Sequence, residues 1–328
     1  MSATAATPLL SVEGLSTWFP IRKGVLRKTV GWVRAVDGID LAVEAGRTVA
    51  LVGESGCGKT TVGRSILRLV PARTGRVLFE GVDLLTLDAA ALRPYRRKLQ
   101  IVFQDPMASL NPRMRVREIV AEGMRSFGIG ADDRERDERV AALLTRVKLD
   151  PRHMYRYPHE FSGGQRQRIC IARALAVEPR LLICDEAVSA LDVSIQAQIL
   201  NLLRDLQQEL GLAYLFITHD LGVVRYLADE IAVMYLGRVV ERGRAEELMR
   251  APRHPYTQAL MHAVPTIDPH AAHERVPVLG DVPSPANPPP GCHFHTRCPV
   301  VMERCRSEAP PVVPVSHGSV RCFLATNP

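Results

Sequence analysis

Short, wholly apolar runs alternate with segments of helical period through the middle of the chain. Thr48–Val52 (TVALV), Leu181–Cys184 (LLIC), Ala213–Thr218 (AYLFIT) and Ile231–Leu236 (IAVMYL) are continuous apolar stretches, as expected of strands covered on both faces in a parallel sheet. Ser194–Leu210 (SIQAQILNLLRDLQQEL) instead repeats its apolar residues at helical spacing. Strands alternating with helices predict an open α/β sheet. Residues 1–47 differ. There LLSVEGLSTWF and VRAVDGIDLAVEAG end in turn residues and predict antiparallel strands. The basic stretch Ile21–Val30 between them reads as a loop or a long hairpin. Residues 113–160 predict a mainly helical, polar region, with ADDRERDERVAALLTRV as a solvated helix face.

Past residue 250 the pattern stops. Fifteen of the 24 prolines and seven of the ten histidines lie there, and strong strand runs disappear. The expected organisation is a domain over 1–250, with a helical subdomain at about 105–165, and a second domain over 251–328.

Apolar residues make up 46% of the 328 and charged residues 23%, the balance of a globular chain with a sizeable core. The net charge of +7 suits an anionic partner: nucleotide, nucleic acid or a cytoplasmic leaflet. No run approaches the ~18 consecutive apolar residues of a membrane span. The N-terminus lacks a basic region followed by a long apolar core, so a cytosolic chain is expected. Any membrane role must then come through other chains. Seven cysteines, an odd number, do not suggest a disulfide framework. Cys57, Cys170 and Cys184 read as small buried residues, whereas Cys292, Cys298, Cys305 and Cys322 crowd the last 37 residues.

Gly53-Glu54-Ser55-Gly56-Cys57-Gly58-Lys59-Thr60 fits G-x-x-x-x-G-K-[ST]. It follows a predicted strand and precedes a predicted helix, Thr61–Val70, which is the context the motif requires. Glycines let successive backbone N–H groups turn toward phosphate oxygens, and a helix N-terminus adds the positive end of its dipole. Lys59 can reach β- and γ-phosphates, and the Thr60 hydroxyl can ligate Mg²⁺. Thr61 is grouped with these nucleotide-binding residues. The competing explanation, a glycine-rich turn, makes support from elsewhere necessary.

That support comes from Leu181-Leu-Ile-Cys-Asp185-Glu186, an apolar strand ending in two carboxylates. Such a strand is expected beside the phosphate-loop strand, with its C-terminal end at the ligand crevice. Asp185 suits Mg²⁺, and Glu186 suits polarisation of an attacking water. Gln104 and His219 close two further short apolar runs, Ile101–Gln104 and Phe216–His219. Both suit contact with water, Mg²⁺ or γ-phosphate, although each alone is more often structural.

Between these pieces stands Phe161-Ser162-Gly163-Gly164-Gln165. It resembles the signature motif of ATP-binding cassette (ABC) proteins, usually LSGGQ, with Phe in place of the first Leu. The order also resembles the cassette: phosphate loop, Gln104 of a Q-loop, signature, Asp185-Glu186, Ser189-Ala-Leu-Asp192 of a D-loop, and the switch histidine His219. The resemblance covers roughly residues 8–250. It implies a P-loop core sheet with an antiparallel β region and a helical insertion. It also implies ATP hydrolysis with Mg²⁺, held through Thr60, Gln104 and Asp185. Two cassettes would meet head to tail, so that Ser162, Gly163, Gly164 and Gln165 of one face the ATP on the other. Glu186, Gln104 and His219 are the catalytic candidates, and Asp192 is grouped with the nucleotide site. An aromatic residue usually stacks on adenine. Phe19 is the candidate, with Trp18 and Trp32 as alternatives and core packing as the competing role.

His254-Pro255-Tyr256-Thr257, with Gly280–Pro299, resembles the extension of oligopeptide/dipeptide importer ATPases, and most of all the second of their two ATPase subunits. This implies a small irregular C-terminal domain. The implied partners are a second ABC ATPase subunit, two transmembrane permease subunits and an extracytoplasmic solute-binding protein. The chain would sit peripherally on the cytoplasmic face of the membrane, without nucleic acid. Cys292, Cys298, Cys305 and Cys322 supply the ligand count of a [4Fe–4S] cluster or a Cys₄ zinc site. The resemblance puts the cluster first, ahead of reduced thiols and zinc. The rivals are a cassette ATPase acting on nucleic acid or ribosomes, a redox-sensing regulatory ATPase, and an importer of nickel chelates or glutathione.

Overall fold

The computed structural model describes residues 7–25, 27–262 and 280–326. Its contacts form two compact units: Met1–Glu44 with Thr48–Thr86 and Ile217–Pro328, and Ala45–Arg47 with Leu87–Phe216.

In the first unit, the basic stretch at 21–30 is the tip of a long hairpin. Leu10–Lys23 and Lys28–Val43 pair antiparallel from Leu10↔Val43 to Lys23↔Lys28. Thr74–Phe79 and Val82–Asp83 complete a four-stranded antiparallel sheet. Strict alternation would send Leu10 and Val12 to one face and Leu15 to the other. A register shift between Val12 and Leu15, with Gly14 at φ 55°, resets the parity, and all three residues are buried.

The phosphate-loop strand Thr48–Val52 pairs parallel with Glu230–Tyr235, from Val49↔Glu230 to Val52↔Val233. All five of its residues are buried, which explains the uninterrupted apolar run. Glu230–Tyr235 turns back into Arg238–Arg244 through Leu236 and Gly237, both at positive φ (40° and 82°). Positive φ at both central residues matches the twist of a tight hairpin. Beyond Arg238–Arg244 lie Gly318–Val320 and then Val313–Val315. These two strands were not expected after residue 250. Each has three residues, and one contains Pro314, so neither shows a readable alternation. The unit's core joins Ala50, Val52, Ile231, Val233 and Tyr235 to Tyr256 and Phe294 from the C-terminal extension.

In the second unit, Leu99–Val102 and Leu181–Asp185 pair parallel, from Leu99↔Leu181 to Val102↔Cys184. The other neighbour of Leu181–Asp185 is Ala213–Thr218. The carboxylate strand therefore does not lie directly beside the phosphate-loop strand as expected, because its two edges are taken by these strands. Helices Val116–Phe127, Asp133–Arg146, Gly163–Leu175 and Val193–Leu210 are the longest in the unit. The helical reading of 113–160 holds for the first two, and 3-10 turns at Pro151–Tyr155 and Pro158–Glu160 finish the stretch. No helix among the described residues is long and apolar enough to cross a membrane.

Candidate functional site

The loop Gly53–Gly58 leads into the helix Lys59–Ile66, which starts two residues before the expected Thr61. Gly58 is the N-cap at φ 109°, no side chain caps the helix, and its first turn has no acidic residue. With a glycine cap and no acidic residue in its first turn, the helix start keeps the positive end of its dipole, which favours an anion. The glycines are dictated by space as well as by φ. A Cβ on Gly53 would run into the Met234 carbonyl oxygen, and one on Gly58 into that of Ala35. The loop is also held from outside, since Gly237 N–H donates to the Cys57 carbonyl at 2.9 Å.

Lys59 is buried, and its ammonium donates to the carbonyls of Gly53 (2.8 Å) and Glu54 (3.0 Å). The Cys57 thiol lies 3.8 Å from that ammonium. Burial raises its pKa, against the pull of Lys59, so Cys57 stays a neutral thiol at neutral pH. Ser55 and Gly56 are exposed, and Thr60 and Thr61 are half-buried. His219 lies one residue past Ala213–Thr218 and is exposed. Phe19 is 38% exposed within the hairpin. Trp18 instead packs under the guanidinium groups of Arg73 (4.3 Å) and Arg34 (4.8 Å), and Arg73 also covers Trp32 (4.8 Å).

In the second unit, the carboxylate strand ends on buried Asp185. Glu186 follows at φ 49°, a left-handed conformation that strains a non-glycine residue. Its carbonyl accepts from Ser189 N–H (3.1 Å) and Ser189 Oγ (3.0 Å), which locks the turn. Its carboxylate Oε2 accepts a 2.8 Å hydrogen bond from Gln104 Nε2. Gln104 lies in the loop after Leu99–Val102 rather than at the end of that strand. Sequence reasoning singled out both residues but not their bond.

Ser162 is the N-cap of Gly163–Leu175, in a reciprocal capping box. Ser162 Oγ accepts from Gln165 N–H (3.4 Å), and Gln165 Oε1 accepts from Ser162 N–H (3.0 Å). The box does not use the N–H groups of Gly163 and Gly164. A Cβ on Gly164 would collide with the Ile195 side chain, so this helix start needs glycine. Asp192 is the N-cap of Val193–Leu210 and is exposed.

The late cysteines converge. Cys292, Cys298, Cys305 and Cys322 line one cavity with His254, His295 and apolar residues such as Phe294 and Met302. All seven cysteines are free thiols. Burial pushes Cys292 up to about 11, helped by the neighbouring thiols, and burial also raises Cys298 and Cys322. Among the described residues no group of three or more His, Cys, Asp or Glu is arranged to hold a metal ion. A tetrahedral zinc would need sulfurs about 3.8 Å apart, given Zn–S bonds of ~2.3 Å.

Sequence reasoning missed two residues. Tyr256 Oη accepts from Glu54 N–H at 2.9 Å, and Arg297 grips the Glu54 carboxylate through Nη1 (2.7 Å) and Nη2 (3.1 Å). They are 202 and 243 positions from Glu54, and neither periodicity nor motif spacing pairs residues so far apart.

Residues 36–189 match the ABC transporter family, and residues 240–305 match the family described as oligopeptide/dipeptide transporter, C-terminal region. The oligopeptide transport ATP-binding protein AppF of Bacillus subtilis is 50% identical over 313 residues, covering 94% of this chain and 95% of AppF. The chain belongs to the ABC transporter ATP-binding proteins. The dipeptide transport ATP-binding protein DppF of Haemophilus influenzae is 46% identical over 318 residues, covering 97% of each chain. A dimeric post-hydrolysis structure of the cassette MJ0796, bound to ADP and Pi, superposes with a TM-score of 0.64 at 28% identity. It covers 72% of this chain and 98% of that one. The fold is thus the P-loop NTPase fold of ABC cassettes, and the chain is an ABC-type ATPase.

Proposed function

We propose that this chain hydrolyses ATP to power import of di- or oligopeptides through a membrane permease. One observation carries the catalytic part: the hydrogen bond from Gln104 to Glu186, directly after Asp185 at a strand end. A carboxylate held by a glutamine beside a second carboxylate suits a base positioned next to a metal ligand. The relatives named for peptide transport, alike over nearly the whole chain, support the cargo.

In this reading the N–H groups of Gly53–Thr61 bind the phosphates of ATP, and Lys59 exchanges its two carbonyl partners for β- and γ-oxygens. Thr60, Asp185 and Gln104 would hold Mg²⁺, whose charge offsets that of the phosphate oxygens. Glu186 takes a proton from water as the water oxygen attacks the γ-phosphorus. The bond from that phosphorus to the β,γ-bridging oxygen breaks, and ADP and phosphate leave. His219 contacts the γ-phosphate, and Phe19 stacks on adenine. Ser162, Gly163, Gly164 and Gln165 face the γ-phosphate of a second cassette, with Asp192 near that junction. Hydrolysis then removes a charge that bridges two proteins.

The helical region at about 105–165 would receive the permease subunits, and a solute-binding protein would deliver peptide from outside. The chain would work on the cytoplasmic face of the membrane. Residues 251–328 form the importer-type extension, in which Cys292, Cys298, Cys305 and Cys322 would hold a [4Fe–4S] cluster. What supports this is the number of cysteines and the cavity they share. Such a cluster would cross-link a proline-rich segment that has a small core of its own.

The test is ATP turnover in proteoliposomes holding the chain, its partner ATPase and both permease subunits, with binding protein and peptide added. Turnover stimulated by peptide and absent in Glu186→Gln supports the reading. Turnover stimulated by nucleic acid instead would refute it.

A further inference from the structure

Glu54, the second residue of the phosphate loop, is held by two residues of the C-terminal extension. Tyr256 accepts its main-chain N–H, and Arg297 forks its carboxylate. The Arg297 side chain is only 9% exposed, so its charge depends on this partner. Tyr256 is fully buried. Its ring lies 4.7 Å from Tyr235 and 5.4 Å from Phe294. Tyr235 adjoins the turn whose Gly237 N–H holds the Cys57 carbonyl. Both ends of the loop's glycine-rich bend are therefore tied to one aromatic cluster. That cluster also borders the cysteine cavity: Phe294 lines it, and Arg297 immediately precedes Cys298.

A loop that binds anions through converging N–H groups must be held in that shape, or binding has to order it. Glycines at Gly53, Gly56 and Gly58 make the free loop flexible. A bidentate Arg–carboxylate pair fixes orientation as well as distance. We infer that Arg297 and Tyr256 are positioning residues of the ATP site, through which the C-terminal extension sets the shape of the phosphate loop and its affinity for Mg-ATP. The inference rests on the reading of residues 53–60 as the phosphate binder.

The experiment measures the Kd of Mg-ATP for the full chain, together with KM and kcat. It compares wild type, Glu54→Gln, Arg297→Gln, Arg297→Lys, Tyr256→Phe and the Glu54→Gln/Arg297→Gln double variant. Arg297→Gln and Glu54→Gln are each expected to weaken binding by about 5- to 50-fold, with the loss falling on KM rather than kcat. The double variant is expected to be no worse than the weaker single, because both remove the same bond. Arg297→Lys recovers part of the loss, and Tyr256→Phe, which removes one hydroxyl, weakens binding several-fold. A folded Arg297→Gln that binds Mg-ATP like wild type, or losses that multiply in the double variant, would overturn the inference. If Arg297→Gln does not fold, Tyr256→Phe decides in the same assay. A wild-type chain that binds no Mg-ATP would bring down the phosphate-loop reading as well. Tight wild-type binding with indifferent variants brings down this inference alone.

Discussion

Gln104 and Glu186 are joined by a 2.8 Å hydrogen bond although 82 positions separate them. The bond fixes a carboxylate whose own backbone is held in a left-handed conformation, at φ 49°. Glu186→Gln keeps the side-chain shape but removes the base. Turnover should fall by about 10²- to 10⁴-fold, the usual range for general-base catalysis, while Mg-ATP binding survives. Steady-state kinetics beside equilibrium binding checks this, and retained turnover refutes the role of Glu186.

Lys59 donates to two carbonyls of its own loop, so its ammonium already sits inside the cradle. Lys59→Ala should weaken ATP binding by about 10- to 150-fold, from ~1.5–3 kcal/mol for hydrogen bonds to a charged group. Calorimetric titration reads this directly, and an unchanged Kd would place the phosphates elsewhere.

Gly58→Ala should damage the loop itself. The residue sits at φ 109°, and a Cβ would meet the Ala35 carbonyl. The backbone strain alone is of the order of 1–3 kcal/mol, and the collision adds to it. A lower melting temperature together with lost ATP binding is expected, and wild-type values for both would show that the loop can relax.

The four late cysteines share a cavity. Protein purified without air should carry iron and acid-labile sulfide at about four of each per chain, with a visible absorption band that Cys305→Ser removes. A metal-free or zinc-loaded sample contradicts the cluster.

What could be read in advance followed from local physics. Thr48–Val52 and Ala213–Thr218 are buried at every position, so each announced itself as a continuous apolar run. The phosphate loop was legible because its glycines answer to local φ and local space. Strand order was not legible. The carboxylate strand has Leu99–Val102 and Ala213–Thr218 as neighbours, and adjacency in such sheets departs from chain order. The strands at 313–320 were too short to show a period. The grip of Arg297 on Glu54 left no trace either, since an arginine before a cysteine and a glutamate in a glycine loop carry no mark of each other.

The most direct test of the central claim is uptake of a labelled dipeptide or oligopeptide by cells holding the complete permease, with wild-type chain or with Glu186→Gln. Uptake that depends on the wild-type chain and collapses in the variant is predicted. Peptide uptake that persists without a functional Glu186 would contradict the account.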